Sequence, residues 1–159
     1  MNEPFIKSDG GRVDAGFSGD ARDCVARAVA IASGRPYSEV YRLLADGNKS
    51  QRVTKRTAKG AARKRTARNG VYTRRKWFRD YMADLGFVWV PTMQIGSGCK
   101  VHLLADELPG GRLVCMVSRH AVAVIDGVIH DTHDPSRGGT RCVYGYWRLV
   151  ARCRTAEVA

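Results

Sequence analysis

Hydrophobic residues in the first half of the chain recur at helical spacing. From Cys24, an apolar stripe repeats four and seven residues later within a run of strong helix formers. Asp20 or Asp23 is available as the N-cap, and Gly34 supplies a C-terminal stop. The pattern predicts a helix that holds Cys24 in its first turn.

Two further helices are predicted from the same periodicity. The first begins next to Pro36 and continues through apolar positions three and four residues apart until Gly47. The second covers roughly residues 73 to 85, and Gly86 ends it.

The second half of the chain consists of short apolar runs separated by turn residues, which is typical of strands. The predicted strands are FVWV, RLVCMVS, HAVAVI, VIHDT and RCVYGYWRLVARC, while CKVHLLADEL is expected to form a short helix. Because helices come first and a largely antiparallel sheet follows, the chain is assigned to the α+β class.

The dipeptide Asp126-Gly127 is a strong signal for a two-residue hairpin turn, and it fixes a register. Counting outward from the turn, His120 and Asp131 become diagonal neighbours on one face, whereas His130 faces the other way. The register therefore predicts a carboxylate beside an imidazole at one end of the sheet.

The length of 159 residues is enough for one domain with a hydrophobic core. Residues 1–19 are rich in glycine and lack periodicity, so we expect an irregular leader. Residues 20–155 are expected to form a single domain that carries a basic insertion at about residues 48–72.

The charge of the chain is concentrated in one segment. The net charge is +12, and residues 49–76 hold 12 Lys and Arg with no acidic residue, which leaves the rest balanced at 15 basic and 15 acidic residues. Such a segment favours sequence-independent contact with nucleic acid, or contact with an acidic protein. The residues expected to make this contact are Lys55, Arg56, Lys59, Arg63, Lys64, Arg65 and Arg68.

Cysteine usage and hydropathy bear on the compartment. The five cysteines are scattered, and neither an apolar leader sequence nor a membrane-spanning run is evident. These features favour a cytoplasmic protein with free thiols and no membrane partner.

A cysteine in the first turn of a helix has a physical reason to ionise. The exposed N–H groups and the helix dipole stabilise negative charge there and lower the thiol pKa. A histidine that takes the proton and an aspartate that orients the imidazole would complete a nucleophile–base–orienter arrangement. The backbone N–H of Cys24 would supply one oxyanion donor.

Two motifs resemble the papain-like superfamily. DCVARAVAIASG near the N-terminus, followed much later by RHAVAVIDGVIHDTHD, is most similar to bacteriocin-processing peptidases and to small papain-like proteins of phages and prophages. DTHD followed by VYGYW resembles the end of those phage proteins. The resemblance implies a papain-like fold, with Cys24 as nucleophile, His120 as general base and acid, and Asp131 as orienter. Asp134 is the alternative acid.

One position departs from the pattern of the superfamily. Papain-like peptidases usually carry an oxyanion-hole glutamine about six residues before the cysteine, and Ser18 stands there instead. Ser18, or a backbone N–H of the following turn, is the candidate substitute.

The sequence supports several functional hypotheses. The first is a cysteine hydrolase of the cytoplasm, of phage or prophage origin, which cleaves an amide bond in a protein or peptide through a thioester and needs no cofactor. The same triad could also serve amidase or transferase chemistry. The alternative is a catalytically inactive papain-like scaffold that binds nucleic acid or an acidic protein through its basic segment.

A zinc site is the weakest hypothesis. Cys99-x-x-His102 and His130-x-x-His133 have ligand-like spacings. On the predicted hairpin, however, His130 and His133 face opposite sides, so one strand cannot chelate a metal with both. No metal site is therefore predicted.

Overall fold

The computed structural model describes residues 4–18, 22–51, 67–68 and 70–150. Within these ranges, six strands form one mixed sheet in the order β1-β5-β4-β3-β6-β2. The strands are β1 (Phe5–Lys7), β2 (Phe87–Pro91), β3 (Arg112–Val117), β4 (His120–Ile125), β5 (Val128–Asp131) and β6 (Val143–Leu149). Neighbouring strands are antiparallel except for β1, which pairs with β5 in parallel.

Three α-helices accompany the sheet: α1 (Cys24–Ser33), α2 (Tyr37–Ser50) and α3 (Lys76–Asp84). The α+β class predicted from the sequence is therefore confirmed. None of the helices in the described ranges is both long and apolar enough to cross a membrane.

The central strands β3 and β4 are apolar after their first residues because both of their faces are covered. On one face, Val114 and Ala123 belong to the core that includes α1 and α2. On the other face, Val122 and Val124 pack in a second cluster with Leu103, which comes from the segment before β3. A strand covered on both sides loses the alternation of apolar and polar residues, and this explains the continuous runs in the sequence.

Helix α1 lies along the β4–β5 hairpin. Gly34 ends the helix in the left-handed conformation (φ 72°), as predicted, and its N–H donates to the carbonyl of Ala30. The guanidinium of Arg112 donates to the carbonyl of Ile31 at 3.1 Å, so a cation lies at the negative end of the helix dipole. The opposite end of α1, which begins at Cys24, therefore lies at the end of the hairpin remote from its turn.

The hairpin has the predicted register. Asp126 and Gly127 both adopt positive φ (49° and 80°), as a type I′ turn requires. The three pairs nearest the turn are those predicted: Ile125 with Val128, Val124 with Ile129 and Ala123 with His130.

Two expectations about local structure were wrong. The segment expected to be an irregular leader contributes β1, because Phe5–Lys7 adds an edge to the sheet beside β5. The segment CKVHLLADEL forms only one 3₁₀ turn, Ala105–Glu107, and its His102 bridges to Cys142 instead. Pairing with the sheet outweighed local helix propensity in this short stretch.

The cysteines also differ from expectation. Cys99 and Cys142 form a disulfide with a Cα–Cα distance of 5.8 Å, although no pairing was evident from their spacing. Within the described ranges, Cys24 and Cys115 are the free thiols, and Cys115 is buried in the core as predicted. Cys153 lies outside the described residues.

Helix α2 does not end at Gly47 but continues to Ser50. Gly47 has a packing role, because a Cβ atom at this position would overlap the indole ring of Trp77. The glycine therefore marks a close approach between α2 and the start of α3, and a single sequence cannot distinguish this signal from a helix stop.

Gly47→Ala tests this reading of α2. Alanine favours helix by about 1 kcal/mol over glycine, but overlap with Trp77 should outweigh the gain and lower the free energy of unfolding by about 1–3 kcal/mol. In a Trp77→Ala background the same substitution should become stabilising. Urea denaturation of the four proteins measures both values, and a stabilising effect in the presence of Trp77 would contradict the packing role.

Candidate active site

The predicted nucleophile, base and orienter lie at one end of the β4–β5 hairpin. Cys24 is the first residue of α1, His120 is the first residue of β4, and Asp131 is the last residue of β5. Ala121 and Ala123 in β4 carry small side chains and are buried in the same core as α1, so the helix lies close against the strand. This packing brings the start of α1 to the start of β4.

His120 and Asp131 are directly hydrogen-bonded. Nε2 of His120 lies 2.5 Å from Oδ2 of Asp131, and both side chains are largely buried. The second carboxylate oxygen of Asp131 accepts the backbone N–H of Thr132 at 2.7 Å and lies 3.5 Å from Nη2 of Arg27. Because Nε2 is occupied by Asp131, Nδ1 is the ring nitrogen left for the thiol of Cys24.

The thiol and the imidazole shift each other's pKa. Burial raises the pKa of Cys24, but the hydrogen bond and charge of His120, the N–H of Ala121 and the charge of Arg27 together lower it below its usual 9.0. Burial lowers the pKa of His120, but hydrogen bonds with Asp131 and Cys24 raise it to about 9. These shifts favour the thiolate of Cys24 paired with the imidazolium of His120, beside the Asp131 carboxylate, whose own pKa is lowered.

The start of α1 adds to this stabilisation of negative charge. The N–H of Arg27 donates to the carbonyl of Asp23, which is the first bond of the helix. The N–H groups before it, beginning with that of Cys24, have no partner within the helix. No acidic residue occupies the first turn of the helix, so the positive end of the helix dipole favours negative charge on the sulfur.

A buried ionic network supports the triad from behind. The carboxylate of Asp23 contacts Arg12 at 3.1 Å, and it also contacts Arg27 and the hydroxyl of Tyr37. Arg27 therefore bridges two buried carboxylates, Asp23 and Asp131. This arrangement connects the helix that carries the thiol to the acid that orients the imidazole.

Sequence reasoning did not identify this network. Asp23 was expected only as an N-cap, but its side chain makes no capping hydrogen bond and binds cations instead. The spacing of Asp23 and Arg27 at i and i+4 was an available signal for an ion pair. Arg12 lies in the segment expected to be irregular, and no local pattern indicated that it would be buried.

The structure separates the two candidate acids. Asp131 is buried and bonded to His120, whereas Asp134 is exposed and accepts the N–H of Ser136 at 2.9 Å in a local turn. Asp134 is therefore not placed as the partner of His120.

Ser18, the oxyanion candidate, is exposed at its side chain, and its carbonyl oxygen accepts a hydrogen bond from Arg12 at 3.2 Å. It is not among the described residues that line the cavity around Cys24. An oxyanion role for Ser18 stays a prediction.

The four residues of the zinc hypothesis do not meet. Cys99 is bonded to Cys142, and Nδ1 of His102 lies 3.0 Å from Glu107. A different trio does lie together, since ligand atoms of His120, Asp131 and His133 fall within 4.8 Å of one another. These three are the residues that could hold a metal, but the hydrogen bond between His120 and Asp131 already accounts for the closeness of two of them.

The site opens into a cavity of about 730 Å³, a volume in the range of small-molecule and peptide sites. Cys24 and His120 line it together with Arg22, Arg119 and His133, among others. The thiol is half-buried and accessible from this cavity, whereas the thiol of Cys115 is fully buried.

Most of the predicted basic contact set falls outside the described residues. This applies to Lys55, Arg56, Lys59, Arg63, Lys64 and Arg65, while Arg68 is described and exposed.

Searches of protein-family models, of curated proteins and of solved structures found no match to this chain.

Asp23→Asn tests the buried network. The substitution removes the charge that compensates Arg12 and Arg27, and breaking a buried ion pair costs about 3–5 kcal/mol. Asp14→Asn, at an exposed turn position, is the matched control and should change the free energy of unfolding by less than about 0.5 kcal/mol. Denaturant titration measures both, and equal small effects would show that the network contributes little to stability.

Proposed function

We propose that the protein is a papain-like cysteine hydrolase that cleaves an amide bond in a protein or peptide. The observation that carries the proposal is a chain of hydrogen bonds from the Cys24 thiol, at the start of a helix, through the His120 imidazole to the buried Asp131 carboxylate. A structural cysteine would not need a hydrogen-bonded imidazole, and an imidazole without a catalytic task would not need a second buried partner.

The geometry supports a two-step reaction. The Cys24 thiolate attacks the carbonyl carbon of the substrate and forms a C–S bond, while the carbonyl electrons move onto oxygen. The imidazolium of His120 then gives its proton to the amide nitrogen, the C–N bond breaks, the amine leaves and a thioester remains. Neutral His120 next takes a proton from water, the resulting hydroxide attacks the thioester, and the carboxylic acid and the free thiolate are released, with His120 again protonated.

Each residue has a distinct task in this scheme. Asp131 holds the ring of His120 so that Nδ1 faces the sulfur, and its charge stabilises the imidazolium. The backbone N–H of Cys24 points out of the first turn of α1 and would stabilise the oxyanion. Serine stands in place of the glutamine that is typical of papain-like peptidases. We therefore assign the remaining oxyanion stabilisation to a backbone N–H of the turn after Ser18, or to the side chain of Ser18.

The basic segment has a proposed role in the same reaction. Gly70, Val71 and Thr73 lie in the C-terminal part of that segment and line the cavity around Cys24. We propose that residues 49–76 recruit the substrate or hold the enzyme near nucleic acid, in a cytoplasmic setting. The alternative, an inactive scaffold, also uses the basic segment. It differs from the hydrolase in that it does not need a reactive thiol.

Selective alkylation tests the thiolate. Iodoacetamide at neutral pH should modify Cys24 at least about tenfold faster than any other free thiol, because Cys24 has a lowered pKa, whereas burial raises that of Cys115, the other free thiol of the described residues. His120→Ala should slow this modification about tenfold or more, whereas His102→Ala, which removes an exposed histidine, should not. Mass spectrometry of the labelled peptides measures the rates, and equal rates for Cys24 and the other accessible thiols would contradict the enzyme proposal.

The pH dependence follows from the two shifts. The pKa of Cys24 lies below its usual 9.0, so the rate of alkylation by iodoacetamide should rise with pH through a midpoint below that value. His120 is charged only below about 9, so hydrolysis, which needs the imidazolium as acid, should fall as the pH rises through about 9. His120→Ala should move the alkylation midpoint upward. A midpoint unchanged by this substitution would show that the imidazolium does not stabilise the thiolate.

A further inference from the structure

A second cavity continues the first one away from the thiol. It has a volume of about 480 Å³ and shares Thr73, Met116 and Val117 with the cavity around Cys24. Because the two cavities have these lining residues in common, they form one groove that begins at the nucleophile and extends across the sheet.

The groove is cationic along its length. Arg22 and Arg119 line the part around Cys24, and Arg74 and Arg79 line the neighbouring part. All four side chains belong to exposed residues, and among the described residues none has a carboxylate within ion-pair distance. No Asp or Glu is among the described residues that line either part.

The far part of the groove also has an aromatic wall. Trp89 and Tyr144 remain 40% and 43% exposed, although large aromatic side chains are usually buried. Trp89 packs on Trp147 with ring centroids 5.2 Å apart, so the wall is held in place by the core beneath it. Arginine beside an exposed aromatic face is suited to an acidic segment that also carries a large apolar side chain.

Backbone conformation supports the role of Arg119. This residue adopts a positive φ of 56°, which is costly for a side chain with a Cβ. The tight turn between β3 and β4 that requires this conformation places Arg119 directly before His120, with its side chain on the cavity.

We infer that the groove selects an acidic stretch of polypeptide, with carboxylates beside the scissile bond and a large apolar residue against Trp89. The inference rests on the proposed hydrolase, since it names the substrate class of the same site. It favours polypeptide over nucleic acid because the nucleophile lies within the groove and acts on amide carbonyls. The described end of the basic segment lines the groove at Gly70 and Arg74, and its positive charge favours the same acidic substrates.

Two alkylating agents separate this inference from the proposed function. Iodoacetamide is neutral, so its rate of reaction with Cys24 depends on the thiolate alone. Iodoacetate is an anion, so its rate also depends on the arginines around Cys24. At low salt, Arg22→Gln combined with Arg119→Gln should lower the iodoacetate-to-iodoacetamide rate ratio at Cys24 about three- to tenfold. Arg42→Gln combined with Arg148→Gln, at exposed positions outside both cavities, should leave the ratio unchanged.

The outcomes are distinct. Slow reaction of the unmodified protein with iodoacetamide counts against the hydrolase itself. Fast reaction with iodoacetamide and an unchanged ratio in the Arg22 and Arg119 variant overturns only the preference for anions. High salt should remove the difference between the variants, because exposed charges are screened.

Peptide binding tests the far part of the groove. The full chain with Cys24→Ala is titrated with fluorescent peptides that share a central Trp flanked by Glu, Gln or Lys. The Glu peptide should bind at least about tenfold more tightly than the Gln peptide, and the Lys peptide should bind most weakly. Arg74→Gln combined with Arg79→Gln should remove most of that advantage, and Trp89→Ala should weaken all three peptides.

Nucleic acid provides the opposing outcome. An oligothymidylate of similar length is expected to bind through the Lys and Arg residues of positions 49–68 in the basic segment, with little effect of Arg74→Gln and Arg79→Gln. If these substitutions weaken the oligonucleotide as much as the Glu peptide, or if the three peptides bind equally, the inference is overturned.

Discussion

The site depends on one carboxylate, that of Asp131, whose two oxygens contact three groups. One oxygen binds the imidazole of His120, and the other accepts a backbone N–H and faces the guanidinium of Arg27. A buried carboxylate is stable as an anion only when its lone pairs are satisfied. The consequence is that the imidazole next to it is held in one orientation and in its charged form, as a thiolate partner must be.

The rest of the fold provides the position of that carboxylate. A two-residue turn sets the hairpin register, small side chains on β4 allow α1 to lie close, and Arg112 binds the far end of the helix. The near end of α1 then reaches the start of β4. Asp23 connects α1 to the hairpin, because its carboxylate binds Arg27, and Arg27 in turn faces Asp131. Buried charges in this network are costly to separate, so the geometry of the site and the stability of the fold are coupled.

Sequence reasoning predicted the parts of this arrangement that depend on local pattern. The position of Cys24 at a helix start was predicted from the N-cap aspartate, the apolar stripe and the helix stop at Gly34. The contact between His120 and Asp131 was predicted from the alternation of side chains along the two strands that flank one turn. It could not predict contacts that depend on long-range packing. Arg12 is buried against Asp23, eleven residues later, β1 joins a strand more than a hundred residues away, and Cys99 meets Cys142 across 43 positions. Gly47 shows the same limit, since its role is set by the ring of Trp77 on another helix.

The site depends on the imidazolium of His120 lowering the pKa of the Cys24 thiol and so favouring its thiolate. A pH titration of thiolate absorbance in the far ultraviolet, taken as the difference between the unmodified protein and Cys24→Ala, measures this directly. The account predicts thiolate absorbance that persists well below the ordinary thiol pKa of 9.0, together with an upward shift of the midpoint in His120→Ala. Titration of Cys24 at the ordinary value, with no change in His120→Ala, would contradict it.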